Sequence, residues 1–237
     1  MRIIIPTWNE SENIIELLNR ITKTVATTSY SFETVIVDDN SPDKTADLVI
    51  EYANNHRFIK VITRQSKLGY GSAFRNGLKY AVQKQDTIYV ITMDADLSHQ
   101  PEEIPKLLNA AENADVVQGS RYIQGGVVRG WGLYRWIVSL TANFLVRVLF
   151  QTGLREHTTS FRLFSSKAAS VVVNETRSKG WAWLIEAILV VKKKGFKITE
   201  IPIFFTDREK GKSKMGLRDM VNWFVFLINY RFRTFKD

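Results

Sequence analysis

The sequence contains no cysteine, few prolines and no long apolar run, and each absence excludes a class of protein. Without cysteine there is no disulfide framework, no thiolate nucleophile and no cysteine-based zinc site. Only 5 prolines and 13 glycines, with 12% aromatic residues, exclude collagen-like and disordered chains and indicate a packed core. The first apolar run stops at Pro6, so no signal peptide is expected. No stretch approaches the roughly 20 apolar residues of a spanning helix, so we expect any membrane contact to be peripheral.

Positive charge is concentrated at the C-terminal end of the 237 residues, a length that suits one globular domain with at most a small appendage. The formal net charge is +9, and residues 192–237 hold 12 basic and 5 acidic side chains, a net +7 that leaves +2 for the first 191 residues. A basic end indicates an anionic partner: nucleic acid, a phosphate-bearing substrate or anionic lipid. Charge alone does not choose among them.

The first half of the chain alternates short β-branched runs with amphipathic stretches. The strands are predicted at 2–5, 34–37, 59–63, 87–93 and 115–118. The helices are predicted at 11–25, 43–54, 71–84 and 101–111. This alternation predicts a mostly parallel sheet with right-handed crossovers, in which ligands bind outside the carboxyl ends of the strands.

Acidic segments follow three of these strands, at 6–10, 38–43 and 94–96. We expect them to meet at one rim of the sheet, where a cation and hydrogen-bond donors of a ligand would relieve their mutual repulsion. Asp94 and Asp96 follow an apolar strand two residues apart, a spacing that directs both side chains to the same side of a strand. Their hard oxygen atoms suit Mg²⁺ or Mn²⁺ bound to a diphosphate.

Ordered motifs extend from residue 3 to about residue 217. They are Ile5-Pro6-Thr7-Trp8-Asn9-Glu10, Val37-Asp38-Asp39-Asn40-Ser41-Pro42-Asp43, Leu68-Gly69-Tyr70-Gly71, Met93-Asp94-Ala95-Asp96-Leu97-Ser98-His99, Gly119-Ser120-Arg121-Tyr122, Ser160-Phe161-Arg162, Asp207-Arg208 and Lys212-Ser213-Lys214-Met215-Gly216. With them the chain resembles the family-2 glycosyltransferases of GT-A fold and, more narrowly, the dolichyl-phosphate mannosyltransferases (polyprenyl-phosphate mannose synthases). The resemblance implies an α/β, Rossmann-like nucleotide-diphospho-sugar transferase domain over residues 1–216. Residues 217–237 would then form a basic, aromatic-rich interfacial helix and tail.

The resemblance also implies roles for individual residues on the donor side. The nucleoside pocket would be lined by Pro6, Trp8, Glu10, Val37 and Asp39. The nucleotide diphosphate and the metal, Mg²⁺ or Mn²⁺, would be held by Asp94, Ala95 and Asp96, with Ser98 at the position where some relatives have a glutamine ligand.

Basic residues receive the remaining roles by the same resemblance. Arg121, Arg135 and Ser139 would hold the phosphate of the acceptor, and the i, i+4 spacing of the last two places them on one helix face. Arg208 and Lys214 would clamp the donor diphosphate. The catalytic set is then Asp96, Arg121, Arg208 and Lys214. A phosphate nucleophile is already anionic, so no general base is needed and His99 is interpreted as structural.

Two aromatic-rich stretches, 131–150 and 220–230, indicate contact with a membrane surface. Core packing is the default for such a helix, but the short lengths and flanking bases favour an in-plane interfacial helix for at least one of them. The resemblance implies a peripheral location on the cytoplasmic face of a membrane. Some related enzymes recruit a membrane-anchoring partner subunit, and the sequence alone does not decide whether this chain has one.

The expected reaction moves mannose from GDP-mannose to dolichyl or polyprenyl phosphate, with inversion to a β-linked product. A transferase that uses UDP-glucose or another nucleotide sugar is the near alternative. From other classes, a nucleic-acid binder would need a strip of bases with stacking aromatics, so no nucleic-acid partner is expected. A sugar nucleotidylyltransferase would need a Gly-rich first loop, and a non-catalytic scaffold would not need Asp94, Asp96 and Lys214 together.

Overall fold

A computed structural model describes residues 1–208 and 216–234 of the chain. The strands are β1 (Arg2–Thr7), β2 (Glu33–Asp38), β3 (Ile59–Thr63), β4 (Tyr89–Thr92), β5 (Val116–Ser120), β6 (Val127–Arg129), β7 (Arg162–Ser165), β8 (Ile198–Pro202) and β9 (Phe204–Thr206). The helices are α1 (Ile14–Val25), α2 (Thr45–Ala53), α3 (Tyr70–Val82), α4 (Ile104–Ala111), α5 (Leu133–Phe150), α6 (Ser166–Glu175), α7 (Trp183–Lys193) and α8 (Leu217–Thr234). A 3₁₀ turn, Pro101–Glu103, precedes α4.

The main sheet has seven strands in the order β3-β2-β1-β4-β7-β5-β8. All neighbouring pairs are parallel except those of β7, which is antiparallel to both β4 and β5. The predicted mostly parallel sheet is therefore confirmed, and the predicted elements of the first half are present with ends shifted by a few residues. Because β1 lies between β2 and β4, the loops that follow these three strands emerge side by side.

Successive side chains of β1 point to opposite faces of the sheet, as strand geometry requires, and pack against different helices. Ile3 and Ile5 pack with the apolar faces of α1 and α4. Ile4 points to the other side and packs with α3, α6 and α7. Helix α3 approaches this face closely at Gly77, where an added Cβ would lie 2.2 Å from Cγ2 of Ile4. A side chain of any size at this glycine would separate α3 from the sheet.

A two-stranded parallel sheet of β6 and β9 lies beside the main sheet and carries the chain into α5. Helix α5 has 18 residues with a mean hydropathy of 1.3, and only 11% of it is buried inside the fold. By length and composition it could cross a membrane, so the expectation that no segment is long and apolar enough is wrong for this helix. Arg135 and Arg147 interrupt the apolar run in the sequence, but the mean hydropathy of the helix remains high.

The apolar residues of α8, which contains the second aromatic-rich stretch, lie in two different environments. Leu227 is fully buried in a cluster with Val146, Ile185 and Leu189, which belong to α5 and α7. Phe224, on another face of α8, is 49% exposed. One face of α8 is therefore core and another is open, and the choice between core and surface applies to each residue rather than to the whole segment.

Candidate active site

A cavity of about 330 Å³ lies at the carboxyl ends of β1, β2 and β4. Residues of α5, β9 and α8 form further parts of its wall. The residues singled out from the sequence that line it are Pro6, Trp8, Glu10, Asp39, Asp94, Ala95, Asp96, Arg121, Arg135 and Arg208. The structure thus brings the acidic strand ends and three arginines from the second half of the chain into one cavity.

The end of β2 presents only one of its two aspartates to the cavity. Asp38 is fully buried and accepts a hydrogen bond of 2.7 Å from the hydroxyl of Thr7, so it ties the loop after β2 to the end of β1. Asp39 lines the cavity, where it pairs with Arg64 and accepts from the backbone N–H of Leu68 at 3.2 Å. Burial raises the pKa of Asp39 against the opposing effect of Arg64. A ligand would therefore meet an aspartate that is already oriented.

Asp94 and Asp96 lie in the turn after β4 rather than on the strand itself. The hydroxyl of Tyr70 donates to Asp94, and the backbone N–H of Ser98 donates to Oδ1 of Asp96 at 3.1 Å. The other oxygen of Asp96 lies 3.1 Å from Nη2 of Arg208. Strand alternation is therefore not why both carboxylates face the cavity. The turn, held by these hydrogen bonds, directs them there.

His99 is fully buried and contacts this turn through its imidazole ring. Its Nδ1 accepts a hydrogen bond of 3.2 Å from the backbone N–H of Asp94, and its ring stacks on Phe161 with centroids 5.3 Å apart. Burial lowers the pKa of His99, although Asp94 and Asp96 act in the opposite direction. An uncharged imidazole that accepts from the backbone suits the structural role expected for this residue.

Arg121 reaches the cavity with its charge already compensated. Its Nε and Nη2 donate to the two carboxylate oxygens of Glu156 at 2.7 and 2.8 Å, and Nη2 also donates to Thr158. Burial opposes ionisation of Glu156, but the charge and hydrogen bonds of Arg121 outweigh it and lower the pKa of Glu156 to about 2. Arg121 is thus a fixed hydrogen-bond donor rather than an uncompensated cation.

Arg135 and Ser139 share a face of α5 but lie at different depths. Arg135 lines the cavity and forms an ion pair with Asp207. Ser139, one turn further along, accepts a hydrogen bond of 2.6 Å from the hydroxyl of Tyr122 and is not among the cavity-lining residues. The cavity wall therefore includes Arg135 but not Ser139, whose hydroxyl is engaged by Tyr122.

Two other residues assigned from the sequence do not reach the cavity. Val37 is fully buried and packs with Ile4 and the α3 layer, because alternation along β2 directs it to that face and not toward the rim. The hydroxyl of Ser98 is buried without a hydrogen-bond partner among the described residues, and only its backbone contacts Asp96. Neither side chain is therefore among the residues that line the cavity. Lys214 lies outside the described residues.

Several cavity residues were not singled out from the sequence. The ring of Tyr70 stacks on Trp181 with centroids 3.9 Å apart, and both rings line the cavity. Lys67 places its Nζ 4.9 Å from the centroid of Trp8. Tyr70 belongs to the motif Leu68-Gly69-Tyr70-Gly71, so the sequence did indicate that it could lie at the site. Trp181 lies in the loop between α6 and α7, and no motif indicated it.

The cavity suits a divalent metal held mainly by a phosphate ligand. No group of three or more histidine, cysteine or acidic residues with metal-binding geometry occurs among residues 1–208 and 216–234. Mg²⁺ is commonly bound by one or two carboxylates together with substrate phosphates and water, and Asp94 and Asp96 supply such carboxylates at the cavity. The donor set therefore fits Mg²⁺ or Mn²⁺ bound together with a diphosphate.

Comparisons with known proteins agree with this arrangement. The model of the glycosyl transferase family 2 matches residues 2–172. A polyprenol monophosphomannose synthase from Mycolicibacterium smegmatis is 36% identical over 217 residues, covering 90% of this chain and 80% of the relative. An undecaprenyl-phosphate mannosyltransferase from Micrococcus luteus is 32% identical over 214 residues, covering 90% of this chain and 86% of the relative.

Solved structures agree on the fold. A glucosyl-3-phosphoglycerate synthase from Mycobacterium tuberculosis, solved with Mn²⁺, UDP and glucosyl-3-phosphoglycerate, superposes with a TM-score of 0.68 at 15% identity. The match covers 97% of this chain and 78% of that one. The same enzyme, solved with Mg²⁺ and UDP, also has a TM-score of 0.68. Together, the family match and the two relatives show that the chain belongs to the glycosyl transferase family 2, with the GT-A fold.

Proposed function

We propose that this glycosyltransferase moves mannose from GDP-mannose to the phosphate of a polyprenyl (dolichyl) phosphate, with inversion at the sugar carbon. The proposal rests above all on one cavity that combines carboxylates for a metal-bound diphosphate with three arginines for phosphates. The names of the two relatives supply the sugar and the class of acceptor. The base of the donor is assigned from the sequence motifs.

On the donor side, Pro6, Trp8, Glu10 and Asp39 would hold the nucleoside. Glu10 is buried at the cavity and Asp39 is oriented by Arg64, so both can accept hydrogen bonds from base N–H groups or ribose hydroxyls. The ring of Trp8 can pack on the base. Recognition by pre-oriented acceptors favours a base with several N–H donors, as guanine has.

The diphosphate would lie over Asp94, Ala95 and Asp96. A metal bound there would neutralise the charge that develops on the leaving diphosphate. Arg208 now lies 3.1 Å from Asp96 and would turn its guanidinium to the diphosphate when the donor binds. We assign Lys214, outside the described residues, to the same clamp.

On the acceptor side, an anionic phosphate oxygen attacks the anomeric carbon of mannose. The new C–O bond forms to that oxygen as the bond to the diphosphate of GDP breaks on the opposite face, and GDP leaves with the electron pair. No proton has to be removed from the nucleophile. Arg121 and Arg135 would orient the acceptor phosphate and reduce its repulsion from the donor phosphates.

The exposed apolar faces of α5 and α8 would carry the lipid part of the acceptor to the membrane. The exposed large side chains are Leu133, Tyr134, Ile137, Leu140, Phe144 and Val148 on α5 and Val221, Phe224, Val225, Ile228 and Phe232 on α8. This apolar face begins next to Arg135 at the cavity, so a polyprenyl chain could leave the site directly into lipid. We therefore propose that the enzyme lies peripherally on the cytoplasmic face of a membrane and binds any membrane-anchoring subunit through the same face.

We also propose the division into two parts that the sequence predicts. Residues 1–216 would form the catalytic domain and 217–237 the interfacial helix and tail. Because α8 packs on α5 and α7 through Leu227, we expect this helix to be docked on the domain rather than tethered to it.

Calorimetry with GDP-mannose, UDP-glucose and GDP-glucose, each with Mn²⁺, tests the donor. We expect GDP-mannose to bind most tightly and to support turnover of a short polyprenyl phosphate. Asp39→Asn should weaken nucleotide binding, whereas Asp47→Asn, on the exposed side of α2, serves as the matched control. Tighter binding of UDP-glucose, with glucose transferred to the same acceptor, would replace the mannosyl assignment by the glucosyl alternative.

A further inference from the structure

Trp131 connects the two arginines that face the proposed acceptor phosphate. The guanidinium carbon of Arg121 lies 4.9 Å from the centroid of its indole ring, and that of Arg135 lies 4.5 Å from it. Each arginine also forms an ion pair with a carboxylate, Arg121 with Glu156 and Arg135 with Asp207. The order carboxylate, arginine, indole, arginine, carboxylate is therefore continuous along this wall.

The arrangement solves an electrostatic difficulty of a two-arginine site. Two guanidinium cations near one ligand repel each other when that ligand is absent. An aromatic ring attracts a cation placed over its face, so one ring in contact with both can hold the two at a set separation. The bidentate pair with Glu156 also fixes the plane of the Arg121 guanidinium, because both oxygens are engaged.

The small sheet of β6 and β9 places Trp131 and Asp207 next to each other. The backbone N–H of Asp207 donates to the carbonyl of Arg129 at 2.8 Å, which extends the pairing of the two strands by one step. Gly130 has a φ of +91°, and an added Cβ would lie 3.0 Å from Cβ of Asp207. This turn leads directly into Trp131 and then α5, so Arg135 and Asp207 meet although they are distant in sequence.

The indole N–H of Trp131 shows which part of the side chain matters. Its Nε1 is buried and has no hydrogen-bond partner in the part of the chain that the structure describes. A buried donor without a partner is unfavourable. The contribution of Trp131 therefore comes from the face of its ring, and phenylalanine should replace it better than an aliphatic side chain.

We propose that Trp131, Glu156 and Asp207 are positioning residues, which hold Arg121 and Arg135 at a fixed separation as a receptor for the tetrahedral phosphate of the acceptor. The inference rests on the proposed function, because it takes the ligand of this wall to be the acceptor phosphate. It adds three residues that do not themselves contact the reacting atoms.

Steady-state kinetics with a short, soluble polyprenyl phosphate tests the inference on the full chain. For Trp131→Leu we expect kcat/KM for the acceptor to fall about tenfold or more, because two cation–π contacts are lost, one to the buried Arg121 and one to the partly exposed Arg135. The dissociation constant of GDP-mannose, measured by calorimetry, should stay within about twofold, since the donor residues are elsewhere in the cavity. Trp131→Phe should restore most of the acceptor kcat/KM. Trp136→Leu, which removes a neighbouring ring 5.6 Å from Trp131, is the matched control and should leave acceptor use nearly unchanged.

Either of two results with Trp131→Leu overturns the inference. One is a folded Trp131→Leu variant, identified by its thermal melt, whose acceptor kcat/KM equals that of the wild type. The other is a loss of donor affinity as large as the loss of acceptor use, which would indicate general damage to the cavity. Failure of Trp131→Phe to restore activity would assign the role to the indole N–H and would also reject positioning by the ring.

A second variant decides the question if Trp131→Leu does not fold. Asp207→Asn keeps an oxygen for its hydrogen bonds and removes the charge that holds Arg135, and its side chain is 30% exposed, so folding should survive. We expect a fall of about fivefold in acceptor kcat/KM with unchanged donor affinity, and no change would reject the inference. Failure of the proposed function is recognised separately: wild-type enzyme would then transfer no sugar to any polyprenyl phosphate.

Discussion

Replacing neighbouring residues of α8 separates its packed face from its proposed membrane face. Leu227 is fully buried against α5 and α7, so Leu227→Ala should leave a cavity and cost about 3 kcal/mol of unfolding free energy. For a domain of this size that lowers Tm by about 6–12 °C. Phe224 and Ile228 are 49% and 42% exposed, so changing both to alanine should alter Tm little.

The same double change should weaken membrane binding. About half of each side chain is still available for burial in lipid, which is worth about 1 kcal/mol per residue. Together, the two losses amount to about 2 kcal/mol, or about 30-fold in partition to vesicles. Flotation with vesicles that contain anionic phospholipid measures this, and added salt should weaken binding further because the basic residues of this end act through screened charge.

The two assays together can refute the reasoning. If the Phe224→Ala, Ile228→Ala protein floats like the wild type and keeps its Tm, this face of α8 does not contact the membrane. If its Tm collapses, the two residues belong to the core. Phe226 is unsuitable for this test, because it packs on the cluster around Leu227 and its loss would mix both effects.

Three further predictions follow from particular contacts. Asp96→Asn should lower turnover about 100-fold or more and abolish Mn²⁺-dependent nucleotide binding in calorimetry, with Asp47→Asn as the control; equal nucleotide affinity with and without metal would contradict it. Burial lowers the pKa of His157 to about 4 from 6.5 in the unfolded chain. The unfolded chain therefore binds a proton that the folded chain excludes, and the free energy of unfolding should fall as pH drops from 6.5 to 4, by up to about 3 kcal/mol. Urea titrations across this window measure the fall, and His157→Gln should reduce it. Finally, Gly77→Ala should cost about 1–3 kcal/mol through its clash with Ile4, whereas Gly132→Ala, with no atom within 4 Å of the new Cβ, should be nearly neutral in the same titrations.

Local sequence was enough to predict the layered fold and the edge of the sheet that carries the site. Alternating β-branched runs and amphipathic stretches are local patterns, and they predict that β1, β2 and β4 run parallel, as observed. The strand β7 was not foreseen, because four residues, Arg162–Ser165, carry too little periodicity to indicate an antiparallel strand between β4 and β5.

Single residues at strand ends were harder to place. The sequence assigned both Val37 and Asp39 to the nucleoside pocket; in the structure Asp39 lines the cavity, whereas alternation along β2 buries Val37. Ser98 was assigned a metal contact through its hydroxyl; in the structure its backbone N–H donates to Asp96. One residue of shift turns a side chain to the opposite face of a strand, and the sequence alone does not set where a strand ends.

The sequence by itself determined the composition of the site: acidic strand ends, a basic second half and two aromatic helices. Only the tertiary structure decided which charges meet. Arg121 pairs with Glu156 across 35 residues, Arg135 pairs with Asp207 across 72, and Arg208 lies on Asp96. Partners so far apart in the chain carry no periodic signal, because their meeting depends on how β6, β9 and α5 close over the sheet. These charge pairs follow from that closure, since a cation removed from water needs an anion, a carbonyl oxygen or the face of an aromatic ring beside it.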